Sequence, residues 1–527
     1  MVSVSVRVVT SLLTGLCVAA LSIGAQAQTS GSITFPTSGA PAAQADFLSG
    51  VKALHNFEFD QAALAFQNAQ KADPGFVMAY WGEAMSHNHP LWAQQDVAKA
   101  KASLDKLAPT HEARLALARL PKEKAFLEAQ QVLYFSQGDK LTRDIAYEQA
   151  MARMYAEWPD DHEVGTFYAL ALLGAVRPTD AGYRRQAMAA SIAQKIFAAN
   201  PQHPGAAHFI IHSFDDPDHA PLALEAANAY AAIAPSAAHA LHMPSHIYVQ
   251  RGMWERVAAS NIEAYAAATA LNARLKLPEG REDFHTLGWL TYANTMLGRF
   301  DEAQKNVDAA RAAAERNPTA RAIRDGYLGM RARYILESAR WEALTLPPDD
   351  AAPADAAAHA GMPGMAMGAP SGGVSEGAAT WIFIVGVSGA RRGDLATADA
   401  ALARLTAIRE RVSKGTDGYA ARPHAIREKQ LGAIVASVRG QKAQAVTLAR
   451  EASTIEAGMA PPSGPPEPIK PSFELYAEML ADNGQYAEAV KAFEQALLRT
   501  PNRTPSVRGL AAARARLTPG TNAAPRQ

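Results

Sequence analysis

Cysteine is almost missing from this chain. The single one, Cys17, lies near the N-terminus of 527 residues. Disulfides and thiolate chemistry are thereby excluded for everything that follows it, and stability has to come from packing. An excess of one charge is missing too. Lys+Arg and Asp+Glu both number 51, which gives no support to a nucleic-acid binder held by bulk charge. Past residue 27 there is no run of about 18 uninterrupted apolar residues, so no membrane span is expected there. Strand patterning is nearly absent. So are the common enzyme fingerprints: no GxSxG elbow, no phosphate-binding loop, no dinucleotide glycine motif. His162-Glu163 opens like a zinc-protease helix, but residue 166 is Thr where the second histidine belongs. The adjacent acids Asp160-Asp161, Asp215-Asp216 and Asp349-Asp350 are of the kind that cap helices or form turns. With 48% apolar and 19% charged residues, disorder and collagen-like structure are excluded. The length exceeds one compact core and calls for several domains or a repeat array.

Residues 1–27 have the features of a secretory leader. Arg7 precedes an apolar stretch from Val8 to Ile23, and Ala25-Gln26-Ala27 supplies the small-x-small site, so cleavage is expected after Ala27. Leu16 stands before Cys17 where a lipoprotein signal needs a small residue, so lipidation is not expected.

A period near 34 residues runs through the rest. Ala62, Phe66, Ala69 and Pro74 stand at a spacing repeated by Ala189, Ala193, Ile196 and Pro201. Ala223, Ala227, Tyr230 and Pro235 repeat it again, as do Ala489, Phe493, Ala496 and Pro501, with weaker copies from Ala146, Val257, Ala303, Ala398 and Ala445. The spacing predicts helical hairpins. A small residue lets the two backbones approach, the residues four and seven further on share one helix face, and the proline ends the second helix. These blocks resemble tetratricopeptide (TPR) repeats, most clearly over Phe59–Pro74 and Gly484–Pro501, and the likeness covers most of residues 43–518. Irregular stretches are expected near 88–140, 269–282 and 315–380. The resemblance implies an all-α fold, a TPR-like α-α solenoid of antiparallel helix pairs in a right-handed superhelix, whose first helices line a concave groove. The segment His239–Trp254 resembles exported bacterial TPR proteins.

The expected organisation is a leader over 1–27, a linker over 28–42, an array over 43–346, an Ala/Gly/Pro/Met linker over 347–379, a second array over 380–518 and a tail over 519–527. Trp381–Val387, though rich in Ile and Val, is expected to be a first helix. Residues 458–471, with their many prolines, should be stiff and extended.

Thirteen of the fifteen histidines lie between His55 and His285. His208 and His212 stand in the same register as His242 and His246, 34 residues on. His239 and His285 are equivalent to each other, each 18 residues before its repeat's small residue. Residues i and i+4 share a helix face, so each pair presents two imidazoles one way, and packed helices about 8–10 Å apart bring pairs together. The candidate metal ligands are His208, His212, Asp215, Asp216, His242 and His246, with Zn or Cu as the ion. Trp81, His87, His89, His239, His285 and Tyr292 are candidates for lining the ligand groove. Pro244 removes a hydrogen bond between His242 and His246 and either bends the helix or delays its start. His359, Met362, Met365 and Met367 suit Cu(I), or belong to an incidental linker.

Three readings stay open. The first is an exported scaffold that binds a protein, peptide or small ligand in a histidine-lined groove, with or without a transition metal. The second is a metal-dependent, hydrolase-type enzyme using Asp215, Asp216 or Glu163 as base. The third is a copper or zinc storage or delivery protein. None involves nucleic acid or an integral membrane segment, and no catalytic residue is assigned.

Overall fold

The structure is a computed structural model that describes residues 30–177, 180, 182–277, 283–347, 375–415 and 418–517. The leader, Asp349-Asp350, the methionine-rich stretch from His359 to Met367, most of the expected 347–379 linker and the 519–527 tail lie outside the described residues.

The described chain is helical throughout, save for a two-residue ribbon pairing Asn88–His89 with Gln94–Gln95. Pro41–His55 (α1) and Phe59–Ala72 (α2) form the first hairpin, followed by Val77–Met85 (α3) and Val97–Asp105 (α4). The short His111–Leu117 (α5) leads into Pro121–Phe135 (α6) and Lys140–Glu157 (α7). His162–Gly174 (α8) pairs with Arg184–Ala199 (α9), and Pro204–Ser213 (α10) with Leu224–Ile233 (α11). Ala238–His242 (α12) and Pro244–Gln250 (α13) act as one first helix beside Trp254–Leu275 (α14). Phe284–Met296 (α15) pairs with Phe300–Arg316 (α16) and is followed by Arg321–Ser338 (α17). Then come Glu376–Arg391 (α18), Leu395–Val412 (α19), Arg422–Val438 (α20), Lys442–Ala457 (α21), Ser472–Asp482 (α22), Tyr486–Arg499 (α23) and Thr504–Leu517 (α24).

The repeat signature has a direct structural meaning. Ala62, Ala189, Ala223, Val257, Ala303, Ala398 and Ala489 are all fully buried, where only a small side chain lets the paired helices approach. Pro74, Pro201, Pro235 and Pro501 each stand two residues beyond the end of a second helix. Between the two helices of a hairpin the chain reverses through a left-handed residue. Gly252, Gly298, Gly393, Gly440 and Gly484 fill that position with φ of 60–80°, a conformation glycine adopts without steric cost. In the first hairpin the same position is Phe57, at φ 55°.

The expected division over 347–379 is not a break in packing. α17 packs directly on α18, and one apolar core runs from Phe284 to Met479 across it. An insertion between helices changes composition without separating the faces on either side. Among the described residues α17 has no helical partner of its own, and Trp341, Leu344 and Leu346 pack against the core after it. Trp381–Val387 lies within α18, a first helix as its pattern required.

The superhelix curls back on itself twice. α1 returns onto α10, where the Asn56 side chain accepts from the Tyr230 hydroxyl at 2.8 Å. At the other end the start of α24 returns onto α14 and α15. The Trp254 indole donates to the Asn502 carbonyl at 2.9 Å, and Arg503 reaches Tyr292, Glu337 and Glu474. The proline-rich 458–471 segment crosses the inner wall instead of leaving it free. Its Pro462 carbonyl accepts from Gln250, its Pro466 carbonyl from Arg333, and Gly464 lies flat on Trp289, where a Cβ would come within 2.4 Å of the ring.

Candidate metal centre

Six histidines from three consecutive first helices meet where the two curls join. They fall into two groups, His208–His212–His239 and His242–His246–His285, and in each group one nitrogen per ring lies within 4.8 Å of the others. Each group takes an i, i+4 pair from one helix and a third ring from the next repeat. The α12–α13 segment therefore serves both groups, with His239 in one and His242 and His246 in the other. The sequence register had suggested the two pairs at a single ion. The structure instead gives each pair its own third histidine, so His239 and His285 stand among the candidate ligands and not along an open groove.

The continuity of α12 and α13 decides the second group. Met243 keeps helical angles, φ −55° and ψ −35°, so Pro244 does not turn the chain aside. In the same segment the Leu241 carbonyl accepts from the Ser260 hydroxyl on α14. His242 and His246 consequently face the same way, with their Nε2 atoms 3.1 Å apart, and His285 Nε2 lies 3.0 Å from that of His242. In the first group His208 Nε2 and His239 Nε2 are 3.2 Å apart, and His212 Nε2 is buried without a protein hydrogen-bond partner.

The other ring nitrogens fix the tautomers. His208 Nδ1 donates to the His55 carbonyl at 2.6 Å. His246 Nδ1 donates to Asp215 Oδ2 at 2.6 Å. His242 Nδ1 donates to Asn261 Oδ1 at 2.7 Å, and the Asn261 amide is oriented by its own donation to the Val257 carbonyl. A neutral imidazole that donates through Nδ1 has a bare lone pair on Nε2. In the neutral form of both rings the Nε2 lone pairs of His242 and His246 face each other at 3.1 Å. Metal–nitrogen bonds of 2.0–2.1 Å at tetrahedral angles would separate two ligand nitrogens by about 3.3–3.4 Å. The spacing and the pinned Nδ1 atoms are what metal-bound histidines show.

The electrostatics agree. Burial lowers the pKa of His208 and of His285 to about 3, and drives His212, His239 and His242 well below the usual imidazole value, with neighbouring rings adding to the shift. These five rings are neutral at pH 7, as ligation requires. In each group one ring is fully buried (His208, His242) and two are half-buried, which leaves one side open to an incoming ligand.

One aromatic ring lies against each group. Phe57 has its ring centroid 4.4, 5.8 and 5.5 Å from those of His208, His212 and His239. Trp289 lies 4.9, 4.4 and 5.5 Å from His242, His246 and His285. Neither was identified from the sequence. Trp289 stands four residues after His285, and Phe57 breaks the glycine rule of the hairpin turns; both signals are legible in hindsight. Gly205 lets α1 come this close, since a Cβ there would sit 2.6 Å from the His55 ring.

A third cluster, His55–Glu163–His203, is fully buried. His203 Nδ1 accepts from the Ala206 amide as the cap of α10, so its Nε2 carries the proton and donates to Glu163 Oε1 at 3.2 Å. That commits both ring nitrogens, and the cluster is a buttress behind His208. Burial pushes the Glu163 carboxyl up, but His55 and His203 outweigh it and hold it at about 2. A carboxylate enclosed in this way is not available as a base for substrate.

The remaining sequence candidates lie elsewhere. Asp215 orients His246 from behind the ring, one residue removed from its Nε2, because its carboxylate is spent on Nδ1. Asp216 pairs with the Tyr183 hydroxyl and with His219 outside both groups. Trp81 is a core residue among Phe35, Phe126 and Phe167. Tyr292 is buried against Arg503. His89 stacks on Phe59, and with Trp92 it borders the first group, Trp92 being 6.3 Å from His239. His87 is half-buried on the same turn and belongs to neither group.

Among known proteins, no family model matches this sequence and no curated protein matches it. Solved structures with related architecture include the yeast Tom70, at 13% identity, covering 90% of this chain and 95% of that one with a TM-score of 0.34. Others are a Rap protein complexed with competence and sporulation factor (12% identity, 79% and 97% covered, TM-score 0.35) and the TPR domain of P58(IPK) (13%, 90% and 98%, TM-score 0.23). Scores this low leave the architecture to rest on the chain's own helix packing. By that packing the protein is an all-α solenoid of TPR-like hairpins.

Proposed function

We propose that this helical-repeat scaffold binds transition metal ions, one at each tri-histidine group. The observation that carries the reading is that His242 Nε2 lies 3.1 Å from His246 Nε2 and 3.0 Å from His285 Nε2 in the second group, with the Nδ1 atoms of His242 and His246 already committed to acceptors. Asp215, Asn261 and the His55 carbonyl act as the outer partners that hold the rings and raise their basicity. Three protein ligands with an accessible side is the pattern of a site that acts on or carries something, as opposed to a closed structural site. The peptide-groove reading has less support, because the inner wall beside this centre already holds the chain's own proline-rich segment. A protein partner would dock on another face.

The test is elemental analysis of full-length protein purified without an affinity tag. Two equivalents of metal are expected. The double variant His208→Ala/His242→Ala, checked for helical content by circular dichroism, should lose both. Metal retained in full by that variant would refute the assignment.

A further inference from the structure

The nearest rings of the two groups are no further apart than rings within one group. Ring centroids within a group lie 4.7–6.3 Å apart along the second and 4.7–6.5 Å along the first. Between groups His212 lies 5.9 Å from His246, and His239 lies 6.3 Å from His242. The shared α12–α13 segment explains this. His239 and His242 are three residues apart on one helix, an axial offset of about 4.5 Å.

The donor set then limits the ions. Six neutral imidazoles provide no ligand charge, and among the described residues the two groups contain no carboxylate. Asp215 is the one anion bonded to the ligand rings, through His246. Two divalent ions side by side in such a buried site, with no anion brought in between them, would concentrate four positive charges with little to offset them. Singly charged copper halves that burden, and imidazole is a good copper ligand. Phe57 and Trp289 cover the rings with apolar surface.

We propose that the two groups form one dinuclear copper centre that takes dioxygen between the ions. The proposal rests on the metal-binding reading above. Each Cu(I) gives one electron and becomes Cu(II). Dioxygen accepts the two electrons and binds as peroxide with its O–O bond intact. No proton moves and no further reductant is needed for this step. A single copper ion could supply only one of the two electrons, so the pairing is what makes the uptake feasible.

The experiment uses the full chain, stripped with a chelator and loaded with Cu(I) under anaerobic conditions. Two copper ions per chain are expected. On admission of air one dioxygen should be consumed per two coppers, and the oxidised protein should show little or no Cu(II) electron paramagnetic resonance signal, because the two spins couple. His285→Ala should keep one copper and show a full mononuclear signal. The coupling is read on the unaltered protein, so the proposal can fail even if that variant does not fold. Two coppers with a full-intensity uncoupled signal, or no dioxygen uptake, would overturn the dinuclear proposal and leave the metal-binding reading standing. Preference for zinc with rejection of Cu(I) would do the same. Failure to bind any metal at either group would remove both.

Discussion

Phe57 shows how far a single residue departs from its local rule. Five other hairpin turns put glycine at this left-handed position, while here a phenylalanine adopts φ 55° and is buried at 1% exposure against three imidazoles. The conformation costs a non-glycine residue about 1–2 kcal/mol. Strain of this kind persists where the surroundings hold it, and such residues gather at functional sites. Phe57→Gly removes that strain but also about 3–5 kcal/mol of buried aromatic packing. The variant should therefore be less stable by about 2–3 kcal/mol in urea denaturation, after relief of the turn. It should still bind metal, because all six histidines remain, and it should exchange metal with a chelator faster than the parent. An unchanged exchange rate would show that the ring protects nothing.

Among the elements, α10, α12–α13 and α15 supply the candidate ligands, while α1, α14 and Asp215 just after α10 supply what orients them. Asn261 on α14 is the clearest case, since its carbonyl oxygen is the short 2.7 Å partner of His242 Nδ1. Asn261→Leu fills a similar volume and leaves His242 Nδ1 with only the more distant Ser245 hydroxyl at 3.5 Å. Metal affinity at the second group should fall about 10–100-fold, the usual loss when an outer partner is removed, with the first group unaffected in competition titrations. The helices themselves were readable in the sequence, because a hairpin needs only local spacing. The small residue, the two positions on the same face and the terminating proline all lie within thirteen residues. The i, i+4 pairs were readable for the same reason. The third ligand of each group was not, nor were Asn261 and the His55 carbonyl. His55 reaches His208 across 153 residues of sequence, and no local pattern marks that contact.

For the whole molecule, closure of the second curl depends on one buried charge cluster. Glu474, fully buried, accepts from Arg503 at 2.8 Å and pairs with Lys470 at 2.9 Å. Burial pushes its carboxyl up, but Arg503 and Lys470 outweigh this and hold it well below the usual range. The folded state therefore binds this proton less readily than the unfolded chain. Its stabilising contribution is complete above the unfolded pKa of about 4.3 and is lost as pH falls through the depressed folded value. The neutral buried histidines act in the same direction from about pH 6.5 downward, since the unfolded chain takes up protons that the folded one refuses. Urea midpoints of the metal-stripped protein should fall from pH 8 to 5.5 and again to pH 4. Glu474→Gln leaves Arg503 with Glu337 and Lys470 with Glu478 as their remaining carboxylates and should cost about 3–5 kcal/mol at pH 8. It should also flatten the part of the pH profile below about 4.3. A profile that stays as steep there would assign the acid sensitivity elsewhere. Residues 1–27 allow a separate prediction: cleavage after Ala27 would make N-terminal sequencing of the mature protein begin at Gln28, and a chain that still begins at Met1 would refute a cleaved leader.

The sequence by itself determined the hairpins, their period, and the common register of two histidine pairs, because helix periodicity acts over a few residues and repeats whatever it is given. Tertiary structure alone decided that six rings divide three and three, that Asp215 turns outward to a ring nitrogen while Asp216 turns away, and that the inner wall is filled by the chain's own prolines. Those outcomes depend on how tightly the stack curves. Curvature is the sum of many small angles between successive helix pairs, and no single repeat encodes that sum.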